Sequence, residues 1–523
     1  MSAPLLAQDF IESSARRLPG KTALVCDQQR VTYGELDRMA NRVANALRAQ
    51  GVQSGDRVAI HLANSVEAVV AIFGVLKAGA TFVPINPTTK HEKLAFILNH
   101  CGAAGLFCTA GAQSAANLTA IRAEVPSLKM LICCGNGNGP LCDGSSGFAT
   151  LQEQHSAEQP PRVSTDRDLA CIIYTSGTTG HPKGVMCDHG NVLFAVQSIT
   201  EYLHNQESDI VLNVLPLSFG YGLFQVFLTC SVGGTLVLEK SFAYPLAVMQ
   251  RIAEEHVTGF PAVPTLFALL LQMDLSTCNL NSVRYITNAA AALPAARIKH
   301  LRELFPNARL YSMYGLTETI RALYLPPEQL DHHPNSVGIA IPGTEVWIED
   351  EFGNRLGPGE VGELVVRGPH VARGYWNDDS ATAKRFRPGS RPGERICYTG
   401  DLFRTNGDGL HYFVARKDDV IKSRGEKVSP REIEDILYTL DSVVEAVVFG
   451  VPDPVLGQAV EAVLVMKDAP PPKARVLAHC RAHLDEYMVP RDVHFRCNLP
   501  RTHSGKIKRT ELAACVASPE LLT

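Results

Sequence analysis

The sequence predicts an α/β protein with a large N-terminal body of helix-covered sheets, a barrel-like β subdomain within it, and a small α+β C-terminal domain. Three observations predict this. Strand and helix patterns alternate through the first half of the chain, as in parallel, helix-covered sheets. From about residue 337 to 415, short β-type runs alternate with Gly-Pro turns, which suits an antiparallel subdomain. After Arg416 about one hundred residues form a compact α/β tail. The expected domains are therefore 1–415 and 416–523.

Taken in order, Thr32-x-x-Glu35 reads as a capping box opening an amphipathic helix to Ala49, closed by Gly51. Arg57 to Leu62 reads as a strand, Val66 to Lys77 as a helix ended by Gly79, and Thr81 to Ile85 as the next strand. The pattern recurs in strands at Ile210–Leu215 and Gly234–Leu238 and a helix at Pro245–Glu255. Between residues 135 and 163 the Gly-, Ser- and Pro-rich sequence reads as a surface loop. Glu345–Ile348 and Glu363–Val366 are β-type runs of the subdomain. In the tail, Ser429-Pro430-x-Glu432 combines three helix-start signals, and the prolines at 470–472 mark a turn.

With 523 residues, 46% hydrophobic and 20% charged, the chain has the means to bury large cores. A net charge of −4 supplies no basic field, so a nucleic-acid partner is disfavoured. Fourteen scattered cysteines without a C-x-x-C pair suit small core residues in a reducing cytosol, and the expected location is cytoplasmic. The N-terminus lacks the pattern of a signal peptide. The most apolar run, Ala68 to Leu76, is too short to span a bilayer and reads as a buried helix.

The most informative segment runs from Tyr174 to Gly184. Thr175, Ser176, Gly177, Thr178, Thr179 and Gly180 give an unbroken series of hydroxyl and glycine residues, followed by Lys183. Glycines let the backbone approach a ligand, and successive N–H groups form an anion-cradling nest. Hydroxyls add donors and Lys183 adds charge. The spacing of a Walker loop is absent. The apolar run Leu169–Tyr174 reads as a strand feeding the loop. A second string, Tyr311 to Glu318, offers an aromatic ring for a base, a hydroxyl for phosphate and a carboxylate for a hard cation.

YTSGTTGHPKGV resembles the phosphate-binding signature of the adenylate-forming superfamily, which includes acyl-CoA synthetases, aryl-CoA ligases, peptide-synthetase adenylation domains and luciferases. Further motifs follow in the family's order across nearly the whole chain. The resemblance implies that Tyr314 faces adenine, with Gly315 beside it, that Thr317 meets the α-phosphate and that Glu318 holds Mg²⁺. The string Thr287 to Ala292, with Asn288, Ala289 and Ala290 as its site residues, is similar to the family's turn lining the adenine and acyl pocket, with Asn288 where glycine is common. Tyr398-Thr-Gly-Asp401 resembles the element whose aspartate binds ribose hydroxyls. Arg416 matches a nucleotide-contacting arginine and Asp418 the hinge about which the small domain moves. Arg424 and Gly425 match the loop facing the thiol acceptor. Pro500 to Arg509 resembles the C-terminal motif that carries the catalytic lysine, here Lys506.

The implied reaction is ATP-dependent activation of a carboxylic acid to an acyl-adenylate, then transfer to the thiol of CoA or of a phosphopantetheine carrier. Phe219, Tyr221, Gly222 and Met313 fall at the implied acyl pocket. Phe219 stands where many CoA ligases have histidine, and neither it nor Gly220 offers a charge. An unpaired buried ammonium is costly, so a fatty or other apolar acid without a nearby amine is expected. The sequence stops soon after Lys506 with no carrier domain, so the expected acceptor is CoA or a separate carrier protein. A free-standing amino-acid or aryl adenylation enzyme remains an alternative, as do a luciferase-like oxidase and a nucleotide sensor without activity. His332-His333 begins an HHxxxD-like string that fails at Val337, and neither HExxH nor G-x-S-x-G occurs.

Overall fold

The computed structural model describes residues 5–110, 112–135, 144–175, 182–289, 293, 295–423, 426–453, 456–501 and 507–517. Among these, a seven-stranded sheet runs in the order Ser146–Gly147, Met130–Cys134, Ala103–Thr109, Arg57–His61, Thr81–Pro84, Leu169–Thr175, Lys183–Asp188. Only its last pairing is antiparallel. A nine-stranded sheet has a parallel centre, in which Arg309–Tyr314, Tyr285–Asn288, Gly259–Ala262, Ile210–Asn213, Thr235–Leu238 and Thr22–Cys26 lie side by side.

The two sheets share one core. The helix Val66–Lys77, as expected from its apolar run, is buried along nearly its whole length. Phe73 on that helix and Phe82 on a strand of the seven-stranded sheet both meet Phe227, at ring-centroid distances of 5.9 and 6.3 Å. Phe227 lies on the helix Gly220–Val232, which packs on the nine-stranded sheet, so one aromatic cluster joins the layers. Among the described residues no helix is long and apolar enough to cross a membrane.

The capping box forms as read: Thr32 Oγ1 accepts from the Glu35 amide, and the Glu35 carboxylate accepts from the Thr32 amide at 2.8 Å. The segment 135–163 differs from the expected loop. It contains the strand Ser146–Gly147 and the helix Phe148–Gln154, anchored by buried Phe148 and Leu151. Two buried side chains in so short a helix leave too little periodicity to read.

The subdomain is an antiparallel five-stranded sheet of Glu345–Glu349, Gly362–Arg367, Phe386–Pro388, Arg395–Thr405 and His411–Arg416. Register shifts near Glu363 and Leu402 bend it. The tail builds its own sheet from Ile421–Ser423, Glu426–Val428, Val443–Asp453, Gly457–Met466 and Asp492–Phe495 over a separate core that includes Ile433, Val448 and Leu464. The helix Pro430–Leu437 starts as expected, but Ser429 does not cap it by its side chain. Its hydroxyl donates instead to the Val414 carbonyl at 2.7 Å, tying the tail to the preceding sheet.

Lys77 ends its helix at 4% exposure. Its ammonium donates to Glu12, Asp37 and Asn41 at 3.1, 2.8 and 2.8 Å, and Glu12 also accepts from Arg162 at 2.7 Å. This network locks the N-terminal helix Asp9–Arg17 against two others. Removing one member of a buried charge network strands its partners. Lys77→Met should therefore lower unfolding stability by about 3–5 kcal/mol in urea titration; a loss below about 1 kcal/mol, the scale of an exposed pair, would show the network to be dispensable.

Two buried histidines bear on acid stability. His370 is fully buried and stacks on Phe194 at 5.4 Å; desolvation pushes it down to about 3. His189 accepts the Ala7 amide at Nδ1, which must therefore be unprotonated, and burial pushes it down to about 4. Below the ordinary histidine value near 6.5 the unfolded chain binds protons that the folded chain refuses, so stability falls with falling pH. At pH 5 each should cost about 2 kcal/mol relative to pH 7.5. Urea midpoints of H189Q/H370Q should show a flatter fall between those pH values; an unchanged slope would exclude these groups as its cause.

Candidate active site

Three of the expected site residues, Thr175, Asn288 and Tyr314, stand at the carboxyl ends of strands in the two large sheets, where open α/β sheets leave room for ligands. Leu169–Thr175 and Lys183–Asp188 form an antiparallel hairpin in which Thr175 faces Lys183. The strand feeding the loop is as expected; the short return strand was not read from the sequence. Ser176, Gly177, Thr178, Thr179 and Gly180 lie outside the described residues, but their two flanks stand side by side. The Lys183 ammonium lies 5.3 Å from the centroid of the Tyr375 ring, a cation–π contact.

Tyr375 connects this lysine to Glu318. Its hydroxyl donates to Glu318 Oε1 at 2.6 Å, and Glu318 is only 7% exposed. Burial, and then the Glu318 charge, push the Tyr375 phenol well above its ordinary range, so it remains a donor. Arg385 approaches the same hydroxyl at 3.5 Å and donates to the Tyr398 carbonyl at 2.9 Å. Burial works against the Arg385 charge, but the Glu318 carboxylate holds its pKa above the ordinary value. The backbone fixes the arrangement. Ala372 donates to the Glu318 carbonyl at 2.9 Å, and Trp376 donates to the Gly184 carbonyl at 2.8 Å. The segment 372–376 thus bridges the hairpin and the Tyr314–Glu318 turn.

A second cluster lies at the start of that turn. The Tyr314 hydroxyl donates to Asp401 Oδ2 at 2.6 Å, and Arg416 Nε stands 3.1 Å from Asp401 Oδ1. Burial and the adjacent carboxylate push the Tyr314 phenol well up. The Tyr314 ring meets Phe403 edge-on at 4.9 Å. Asp401 and Arg416 are direct partners across two strands, which explains why motifs fifteen residues apart meet. A carboxylate has about four acceptor positions, so Asp401 can accept from several donors at once. Gly315 follows where the chain doubles back: a Cβ there would lie 2.8 Å from both Arg321 Cα and the Ile320 oxygen. Thr317 is half-buried in the same turn. Asn288 and Ala289 are buried at the end of the neighbouring strand, with Asn288 opposite Ser312. Ala290 lies outside the described residues.

Beside this turn is a cavity of about 10 Å³, lined among others by Tyr221, Phe224, Thr287, Met313 and Arg321. Its walls are tied together. The Tyr221 hydroxyl lies 2.5 Å from Thr287 Oγ1, and the Tyr202 hydroxyl donates to Met313 Sδ at 3.1 Å. Tyr221 and Met313 are among its lining residues, whereas Phe219 and Gly222 are not. Phe219 sits at the N-cap of the helix Gly220–Val232. Gly222 packs under the preceding loop, where a Cβ would come within 2.5 Å of the Pro216 oxygen.

Asp418 lies in the turn 417–419, between the last strand of the subdomain and the first strand of the tail. Arg424, Gly425 and Lys506 lie outside the described residues. The flanks of the Lys506 segment, Arg501 and Ile507, pair antiparallel.

Sequence reasoning missed Tyr375, Arg385 and Arg321. Tyr375 touches Glu318, and Arg385 stands behind Tyr375, only through the tertiary fold. The aromatic pair Tyr375-Trp376 following Gly374 was the one local signal. Arg321 carried a clearer one, a lone charge entering the apolar run to Leu325. For a metal, Glu318 is a single buried carboxylate, and among the described residues no other metal-ligating side chains cluster with it. That donor set fits Mg²⁺, which is commonly held by one or two carboxylates together with substrate phosphates and water.

Comparison with known proteins shows the family. Residues 11–376 match the AMP-binding enzyme family and residues 432–506 match the AMP-binding enzyme C-terminal domain. The chain is 30% identical to a long-chain-fatty-acid–CoA ligase of Bacillus subtilis (strain 168), covering 97% of this chain and 93% of that one. It is 33% identical to a feruloyl-CoA synthase of an Amycolatopsis species, covering 95% and 96%. The crystal structure of an anthranilate CoA ligase in complex with anthranoyl-AMP superposes with a TM-score of 0.91 at 28% identity over 99% of both chains. The chain therefore belongs to the AMP-binding enzyme family, within the adenylate-forming superfamily, and is an AMP-forming acid–thiol ligase of the acyl-CoA synthetase type.

Proposed function

We propose that this enzyme activates a carboxylic acid with an apolar body and no amine, and passes the acyl group to CoA in the cytoplasm. The observation that carries this reading is the pair of clusters on one turn, Tyr314–Asp401–Arg416 and Glu318–Tyr375–Lys183, beside a mainly apolar cavity.

The assigned roles follow from the chemistry of each group. Asp401 accepts the ribose hydroxyls while Arg416 and the Tyr314 hydroxyl hold its carboxylate in place. The Tyr314 ring and the Asn288–Ala290 turn border the base. Lys183, with the hydroxyl and glycine residues 175–180, binds phosphate oxygens. Thr317 donates to the α-phosphate, and Tyr375 fixes the orientation of Glu318. When bound at Glu318, Mg²⁺ supplies positive charge that offsets the phosphate oxygens.

The acid's carboxylate oxygen attacks the α-phosphorus. A new O–P bond forms, the bond to the bridging oxygen breaks, and pyrophosphate leaves. Lys506 places its ammonium against the charge that develops there. The thiol, giving up its proton, then attacks the acyl carbonyl, and AMP leaves with the electron pair of the broken C–O bond. No protein nucleophile is needed.

We place the domain boundary at 415/416. Asp418, in the turn between two sheets, then acts as the hinge that exchanges Lys506 for the Arg424–Gly425 loop between half-reactions.

Two observations support an acid without an amine. Among the described residues, the cavity's lining contains no acidic side chain to pair an ammonium, and it contains the cation Arg321. The test is ATP–pyrophosphate exchange over a panel of acids, followed by thioester detection with CoA and, separately, with a phosphopantetheinyl carrier protein. Plain acids should drive exchange and CoA should accept the acyl group. Exchange with amino acids alone, or acylation of the carrier alone, would overturn the assignment.

A further inference from the structure

Arg321 is the one charged group among the cavity's lining residues. Its residue is 6% exposed, and its Nε is buried without a hydrogen-bond partner. Among the described residues no carboxylate forms an ion pair with it, and its guanidinium instead lies 5.1 Å from the centroid of the Tyr221 ring. A buried charge without a counter-ion is costly, and an aromatic face compensates only part of that cost. The backbone adds to it. Ile320, a β-branched residue, sits at φ +58, in the left-handed region such residues avoid. That strained turn leads Arg321 directly into the strand Leu323–Leu325, where Ala322 donates to the Tyr314 carbonyl at 2.9 Å. Strain and an unpaired buried charge at adjacent positions mark a site that a ligand completes.

The remaining lining is largely apolar, with Ile199, Leu203, Phe224 and Leu228 among it. A ligand entering here therefore needs an apolar body and an anionic group at its far end. The reacting carboxylate is a poor candidate for that anion. A guanidinium clamped on it would withdraw the electron density with which it attacks phosphorus, and it must stand at the Thr317–Glu318 turn. We propose that the acid is a short dicarboxylic acid, one carboxylate entering the adenylation reaction and the other pairing with Arg321. The planar guanidinium suits a carboxylate through two parallel hydrogen bonds. The cavity of about 10 Å³ has room for about one water, so its walls must part to admit the acid, and a short acid asks the least displacement of them. This rests on the reading above that the cavity receives the acid, and it narrows that reading to one class.

The test is ATP–pyrophosphate exchange with straight-chain dicarboxylic acids of three to six carbons, each matched to the monocarboxylic acid of equal length. The best diacid should exceed its monoacid in kcat/KM by about 100-fold, mainly through KM, because the monoacid leaves the buried charge unpaired. In R321M that ratio should fall to about one or invert, and R321K should recover part of it through its point charge. The apo R321M protein should melt no lower than wild type, since a buried unpaired charge has been removed. A wild-type preference for monoacids, or a ratio unchanged in R321M, would overturn the proposal and leave the ligase reading intact. A large drop in melting temperature with equal loss of exchange for both acids would make Arg321 a structural residue and also overturn it. Silence of every acid with wild-type enzyme would instead overturn the underlying reading, and this one with it.

Discussion

Replacing Lys506 with alanine is expected to reduce ATP–pyrophosphate exchange by about 100- to 1000-fold, the loss typical of removing one preorganised group from a developing charge. Thioester formation from a supplied acyl-adenylate should remain largely intact. The asymmetry follows from where charge develops. In the first half-reaction the α-phosphoryl group gathers negative charge as pyrophosphate departs, and a lysine ammonium stabilises it. In the second, the mixed anhydride already exists, and the reacting bond lies between carbonyl carbon and phosphate oxygen. A lysine held on the small domain is required only while that domain presents it. Single-turnover assays of the two half-reactions, with ATP plus acid and with acyl-adenylate plus CoA, separate the effects. Equal loss in both would show that Lys506 supports the fold or a shared binding step, and the alternation about Asp418 would lose its main support.

How much of this was legible in the sequence depended on distance along the chain. The helix Val66–Lys77 was read to the residue, because its signals are local: a serine cap, an unbroken apolar run and a terminal basic residue. The Tyr314–Glu318 turn and Asp401 were also legible, each as a short motif. Their direct contact was not, because a 2.6 Å hydrogen bond spanning 87 residues has no local signature. The same holds for Tyr375, which reaches Glu318 across 57 residues, and for Arg385 behind it. The cavity shows a different limit. Within one segment, the helix starting at Gly220 turns Tyr221 toward the cavity, Phe219 stands at the N-cap, and Gly222 allows close packing on the loop. Helical phase, not composition, decides which side chain faces a ligand, and a motif at a helix start leaves that phase open. Arg321, a lone charge in an apolar run, went unread; what only the fold supplies is that no carboxylate among the described residues pairs with it.

The second large effect is expected at Glu318, and a pair of substitutions separates its charge from its position. Glu318→Gln keeps the size of the side chain and an oxygen able to accept from Tyr375, but removes the negative charge. The half-buried Arg385 then loses the charge that sustains it, and the site loses its candidate Mg²⁺ ligand. Exchange should fall by about 100-fold or more, with a higher Mg²⁺ concentration needed for half-maximal rate. Tyr375→Phe does the reverse. It keeps the Glu318 charge and the ring that Lys183 faces, and deletes the 2.6 Å hydrogen bond that fixes the carboxylate together with the long 3.5 Å contact from Arg385. Losing one charge-assisted hydrogen bond costs about 1.5–3 kcal/mol, or roughly 10- to 150-fold if all of it is expressed in the transition state. Because the freed carboxylate can still reach a metal, the expected loss lies near the lower end, with the Mg²⁺ dependence little changed. Exchange rates measured across a Mg²⁺ titration distinguish the two variants. If E318Q and Y375F lost activity equally and neither shifted the Mg²⁺ requirement, Glu318 would act through the Tyr375–Arg385 chain alone, and its assignment as the metal ligand would be withdrawn.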